Sequence, residues 1–203
     1  MLKKLAADAL GISDIGKIIA PQDYDKVASD DYIMHEDGEK IYFLIKSKTD
    51  EYCFTNLGFL HLDGESAMSS KRVLKRYDWY TTQVSNIILE TAGTVDLDCE
   101  IKFKLGNEEF SIDVDKKQIE QLKDLYKALI KISQIMKANN LKLNYAKQSL
   151  ENTIETISGI RQAEDIDTKF ANVNEYIFEW LCDKKSEFTR KDFGEVFEKY
   201  INN

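Results

Sequence analysis

From Lys40 onward the chain alternates with a period of two. Ile41, Phe43 and Ile45 interleave with Tyr42, Leu44 and Lys46, and the apolar character of both sets predicts a strand partly buried on two faces. A polar turn over Ser47 to Asp50 leads into a second apolar run, residues 51–62, closed by the turn pair Asp63-Gly64. Further strands are expected over 70–80 and over Val84 to Thr91. The sharpest pattern lies in 94–115. Val95, Leu97, Cys99, Ile101, Phe103 and Leu105 fall on one face, and Asp96, Asp98, Glu100, Lys102 and Lys104 on the other. Gly106-Asn107 is a hairpin turn signal, and it places Phe103 opposite Phe110, Ile101 opposite Ile112 and Cys99 opposite Val114.

The period then changes to that of a helix. Ile119, Leu122, Tyr126, Leu129, Ser133 and Met136 form one stripe, which Asn139-Asn140 is expected to end. Apolar spacing predicts further helices over 142–158, over 167–182 and from Thr189, where Thr189-x-x-Asp192 resembles a capping box. Before the strands, residues 2–10 read as a short amphipathic helix, and Pro21 stops any helical continuation through 12–35. Strands in a block followed by helices indicate an α+β chain. The expected architecture is an antiparallel β-barrel of about seven strands, plugged by an amphipathic helix at its C-terminal end and followed by a helical extension. The divisions are 1–29, an N-terminal helical segment; 30–138, the barrel with its helix; and 140–203, the extension.

Charge narrows the function. The net charge is −8: residues 1–117 hold 15 Lys/Arg against 22 Asp/Glu, and residues 118–203 hold 13 against 14. An acidic strand block lacks the basic field that drives nucleic-acid binding or adsorption to anionic lipid. Cys53, Cys99 and Cys182 have neither metal nor redox spacing and sit among apolar neighbours. They read as reduced core residues, which fits the cytoplasm. The start of the chain lacks a complete signal-peptide apolar region, and no window is apolar enough to span a membrane.

The run Glu90-Thr91-Ala92-Gly93-Thr94-Val95-Asp96-Leu97-Asp98-Cys99-Glu100-Ile101 resembles the hallmark segment of the bacterial pleckstrin-homology-like (PH-like) family. Phe54-Thr55-Asn56 and Leu62-Asp63-x-Glu65 resemble the same family's upstream strand and turn, although Leu57 and Gly58 stand where the family carries basic residues. The resemblance covers about 30–138. The tail from 140 is similar in length and helicity to the YvbH-like oligomerisation region. The resemblance implies a PH fold and ring-like or higher oligomers, with no established molecular function; the chain itself reads as a homo-oligomeric scaffold or protein-binding module without catalysis or cofactor.

Candidate chemistry is sparse. His35 and His61 are the only histidines, and neither has the local context of a triad or a metal site. The hairpin register opposes Glu100 to Asp113 and Asp98 to Asp115, a like-charged face that a hard cation could relieve; a metal-dependent enzyme using it is one alternative. Lys71, Arg72, Lys75 and Arg76 are the one basic cluster, with Lys46 and Lys48 in the first turn; a membrane-surface adaptor contacting anionic head groups is the other alternative. The tail is dense in aromatics, and Trp180, Phe193, Phe197 and Tyr200 are the interface candidates. The leading expectation is a homo-oligomer, with another protein as a further partner and with neither nucleic acid nor membrane as its target.

Overall fold

The computed structural model describes residues 14–64, 72–91, 93, 98–158 and 166–201. The expected helix over 2–10, Lys71, and Val95 to Leu97 lie outside them. The described chain holds eight strands in two sheets. Strands β1 (Lys17–Ile18), β2 (Ile41–Lys46), β3 (Glu51–Thr55), β4 (Gly58–Gly64) and β5 (Arg72–Asp78) form an antiparallel meander in sequence order. Strands β6 (Val84–Glu90), β7 (Asp98–Leu105) and β8 (Glu108–Asp115) form a second. Three α-helices follow: α1 (Ile119–Ser158), α2 (Ile166–Glu187) and α3 (Gly194–Tyr200).

The sheets do not close into the expected barrel. Among the described residues both sheets are open, and no ladder joins β5 to β6. The chain passes between them through Trp79 to Gln83, and β6 departs from regular pairing between Ser85 and Ile88, where Asn86 has a positive φ of 50°. A bulge of this kind bends its strand and increases the local twist. One backbone link between the sheets is made at Gly16, which donates to Asp113 O at 2.8 Å and accepts from Asp115 N at 3.0 Å. A side chain there would meet Ile45 Cγ2 at 2.6 Å, so the approach requires glycine.

Between the sheets lies an aromatic core. Phe54 and Phe59 have ring centroids 4.8 Å apart, Phe59 and Phe110 5.0 Å, and Phe103 and Phe110 5.2 Å. Leu122, Leu125, Ala128, Leu129 and Ile132 of α1 are fully enclosed, and Ser133 donates its hydroxyl to Val84 O at 2.7 Å. The far face of the first sheet is also covered. Leu44, Cys53 and Leu60 pack with Val27 and Ile33, the residues that follow the 3-10 turns Pro21–Lys26 and Ala28–Tyr32. That accounts for apolar residues on both faces of β2 to β4.

Three local expectations change. The run 51–62 is two strands, because the Thr55 hydroxyl accepts from Leu57 N and Gly58 N and turns the chain between them. Asn139-Asn140 do not end a helix: α1 runs through them, since two asparagines cost only about 1 kcal/mol of helix propensity. The fourth helix starts at Gly194 without a side-chain cap, because Asp192 turns to Gly194 N and to Asn56 instead.

The chain divides into two compact units. One runs to Ser133 and takes in Lys191 onward; the other is Gln134–Arg190. The C-terminal segment therefore belongs to the sheet-bearing unit. Phe193 N donates to Asn56 O at 2.9 Å, Asn56 Nδ2 to Asp192 Oδ2 at 2.8 Å, and Tyr42 Oη to Glu198 Oε1 at 2.9 Å.

Candidate interaction surface

The unit Gln134–Arg190 consists of the second part of α1 and the whole of α2. The apolar residues at three- and four-residue spacing that predicted its helices are there, but they are not enclosed. Among its described residues only Met136 is buried. Leu141, Tyr145 and Ile154 on α1, and Val173, Tyr176 and Phe178 on α2, are exposed; Tyr176 and Phe178 keep 68% and 67% of their surface. A groove of about 350 Å³ runs between Ser149, Leu150 and Thr153 on one helix and Val173, Tyr176, Ile177 and Trp180 on the other. An apolar surface left open across two helices marks a contact site more often than it marks an idle face.

The four interface candidates separate. Trp180 lines the groove, half-buried. Phe193 and Phe197 are 1% and 0% exposed in the sheet-bearing unit, so their rings are spent on the chain's own core and offer nothing to a partner. Tyr200 is half-buried beside them, with Lys199 Nζ 5.8 Å from its ring. Tyr176 and Phe178, which belong to the same aromatic-rich stretch, are the rings the structure leaves open. Cys182 is also exposed, which corrects its reading as a core residue; Cys53 and Cys99 are buried as expected.

The basic strand does not converge on a single anion site. Arg76 is committed within the unit: its guanidinium bonds Glu39 at 3.0 and 3.1 Å and Asp78 at 2.7 Å. Lys75 lies 4.0 Å from Asp63, Arg72 is exposed, and Lys46 bonds Glu51 at 2.6 Å. The β7–β8 carboxylates take the expected register, Asp98 opposite Asp115 and Glu100 opposite Asp113. Lys102 relieves part of that face by bridging Glu90 at 2.8 Å and Glu100 at 3.1 Å. Those four carboxylates do not gather into a ligand group. Among the described residues the one such group is elsewhere, at Asp50, His61 and Asp63, and sequence reading missed it. Asp50 and Asp63 flank the β3–β4 pairing, and because the sequence does not mark where β3 ends, no local pattern brings the two together. His35 lies at the surface, 3.1 Å from Asp30.

No helix among the described residues is long and apolar enough to cross a membrane. Residues 9–133 match the bacterial PH domain family, and residues 144–203 match the YvbH-like oligomerisation region. The chain is 59% identical over 204 residues to the protein YvbH of Bacillus subtilis (strain 168), covering the whole of both. It is also similar to the crystal structure of a PH-domain-containing protein from Exiguobacterium sibiricum 255-15, at 51% identity and a TM-score of 0.85, over 93% of this chain and 100% of that one. Two open sheets capped by a helix, with a helical unit set into the chain after them, are thus the form taken here by a member of the bacterial PH domain family, to which this chain belongs.

Proposed function

We propose that the protein is a non-catalytic, homo-oligomeric interaction module of the cytoplasm, and that its copies associate through the helical pair 134–190. The observation that carries this is the open apolar surface of that unit, where Tyr176 and Phe178 are exposed and Met136 is the one enclosed side chain among those described. The match of 144–203 to an oligomerisation region supports the same reading. The sheet-bearing unit then serves as the repeated part, presented in several copies. Its acidic balance disfavours close approach of those copies unless an apolar contact holds them. The reduced, buried Cys53 and Cys99 suit the cytoplasm.

Light scattering on the full chain is expected to give a mass that is a multiple of 23.5 kDa. The double substitution Tyr176→Ser with Phe178→Ser is expected to lower it to the monomer while circular dichroism stays unchanged, because neither ring is enclosed by its own chain. A monomeric wild type at tens of micromolar, or a variant of unchanged mass, would remove the proposal.

A further inference from the structure

One rim of the first sheet carries a separate constellation. Glu51 faces Leu62 in the β3–β4 ladder, so Asp50, one step earlier, faces Asp63. Side chains alternate along a strand, and Tyr52 faces His61. Asp50, Tyr52, His61 and Asp63 therefore share one face. Ligand atoms of Asp50, His61 and Asp63 all lie within 4.8 Å of one another.

The imidazole is enclosed. His61 is 9% exposed, stacked on Tyr52 at 4.6 Å and edge-on to Phe110 at 5.8 Å. Its Nε2 lies 3.2 Å from Asp50 Oδ1, and its buried Nδ1 has no hydrogen-bond partner among the described residues. Among the described residues, then, this buried polar ring has no polar partner outside the group. The surroundings are negative, with the carboxylates of Asp50 and Asp63 both within 4.8 Å of the imidazole ligand atom. Lys75 answers from 4.0 Å, and only toward Asp63. Opposed carboxylates and an enclosed imidazole cost stability unless a cation joins them.

We propose that Asp50, His61 and Asp63 bind a divalent transition-metal ion of the zinc class. One imidazole nitrogen and two carboxylate oxygens are its protein ligands, and water completes the shell. The imidazole selects such an ion over Ca²⁺ or Mg²⁺, which take all-oxygen sets. The ion ties the β2–β3 turn to the end of β4, so its role is structural.

The test uses the metal-free full chain carrying Cys182→Ser and His35→Gln, which removes exposed competing ligands. Calorimetric titration with Zn²⁺ is expected to show one ion per chain, and saturating Zn²⁺ to raise the melting temperature by mass action. Asp63→Asn and His61→Gln are each expected to weaken Zn²⁺ by at least about tenfold. Asp63 is the more exposed of the two and its amide is isosteric, so that variant keeps the test alive if His61→Gln fails to fold. Absence of binding at millimolar Zn²⁺, Zn²⁺ binding unchanged in Asp63→Asn, or Ca²⁺ binding as tightly as Zn²⁺ each overturns the proposal.

Discussion

Phe197→Ala is expected to destabilise the sheet-bearing unit by about 3–5 kcal/mol, the cost of emptying a fully enclosed phenylalanine site. The ring stacks on Tyr42 at 5.5 Å and lies 6.5 Å from Trp79, which is itself enclosed and bonds Thr55 O through its indole at 2.9 Å. Helix α3 has seven residues, too few to persist alone, so its docking depends on what it buries. Phe193, Val196, Phe197 and Ile201 are the buried apolar residues of that segment. Urea unfolding followed by tryptophan fluorescence should show the midpoint falling in step. A loss below about 1 kcal/mol would mean that the segment is not part of this core. The result also decides how assembly should be tested. Cutting the chain at 140 removes α3 with the helical pair, so a changed oligomeric state in such a fragment would report lost folding as much as lost association. Substitutions at Tyr176 and Phe178 avoid this.

The strand hairpin β7–β8 was the most legible part of the chain. Its alternation is strict and its turn pair is explicit, and every opposed pair read from the sequence is found. Gly106, the first turn residue, has φ +60°, as a two-residue turn with glycine in that place needs. The division between β3 and β4 was hidden for a physical reason. Both strands are covered on two faces, so no polar alternation marks where one ends, and the turn rests on the Thr55 hydroxyl. Closure of the barrel was over-read. A count of strands cannot show that β5 and β6 fail to pair, because that failure depends on the path from Trp79 to Gln83 and the irregularity at Asn86.

The surface was half legible. Too many aromatics for one small helical cluster is a property of composition, and it pointed to the right stretch of chain. Which rings stay open is a property of tertiary packing. Phe193 and Phe197 look no different in sequence from Phe178, yet Asn56, Asp192 and Tyr42 fix the C-terminal segment to the sheets and enclose the first two. The partner of Asn56 lies 136 residues away in the chain. No local pattern announces a contact at that separation. Arg76 misled in the same way. It sits in a basic run, and only the fold reveals that it answers a buried carboxylate from another element.

Arg76→Ala is the second large effect expected, about 3 kcal/mol at neutral pH, with a pH dependence that identifies its cause. The Glu39 side chain is fully enclosed, and it accepts from Arg76 Nη1 and Nη2, from Thr55 Oγ1 at 2.6 Å and from Met34 N at 2.9 Å. Burial alone would raise the carboxyl, but these bonds and the guanidinium charge outweigh it and hold it below its ordinary value. A depressed carboxyl contributes stability that is present above the unfolded value, about 4.3, and is lost as pH falls through the folded one. Glu51 behaves alike: burial opposes it, and Lys46 and the Ser29 amide hold it low. The wild type should therefore lose stability below about pH 4. Without Arg76, burial dominates at Glu39 and the carboxyl moves up. A raised carboxyl is stabilising below the unfolded value and loses that contribution as pH rises. The deficit of Arg76→Ala relative to wild type should accordingly be greatest near neutrality and shrink toward about pH 4. Urea midpoints for both proteins across that range measure it. A deficit independent of pH would mean that Arg76 acts through the packing of its stem and not through the charge of Glu39.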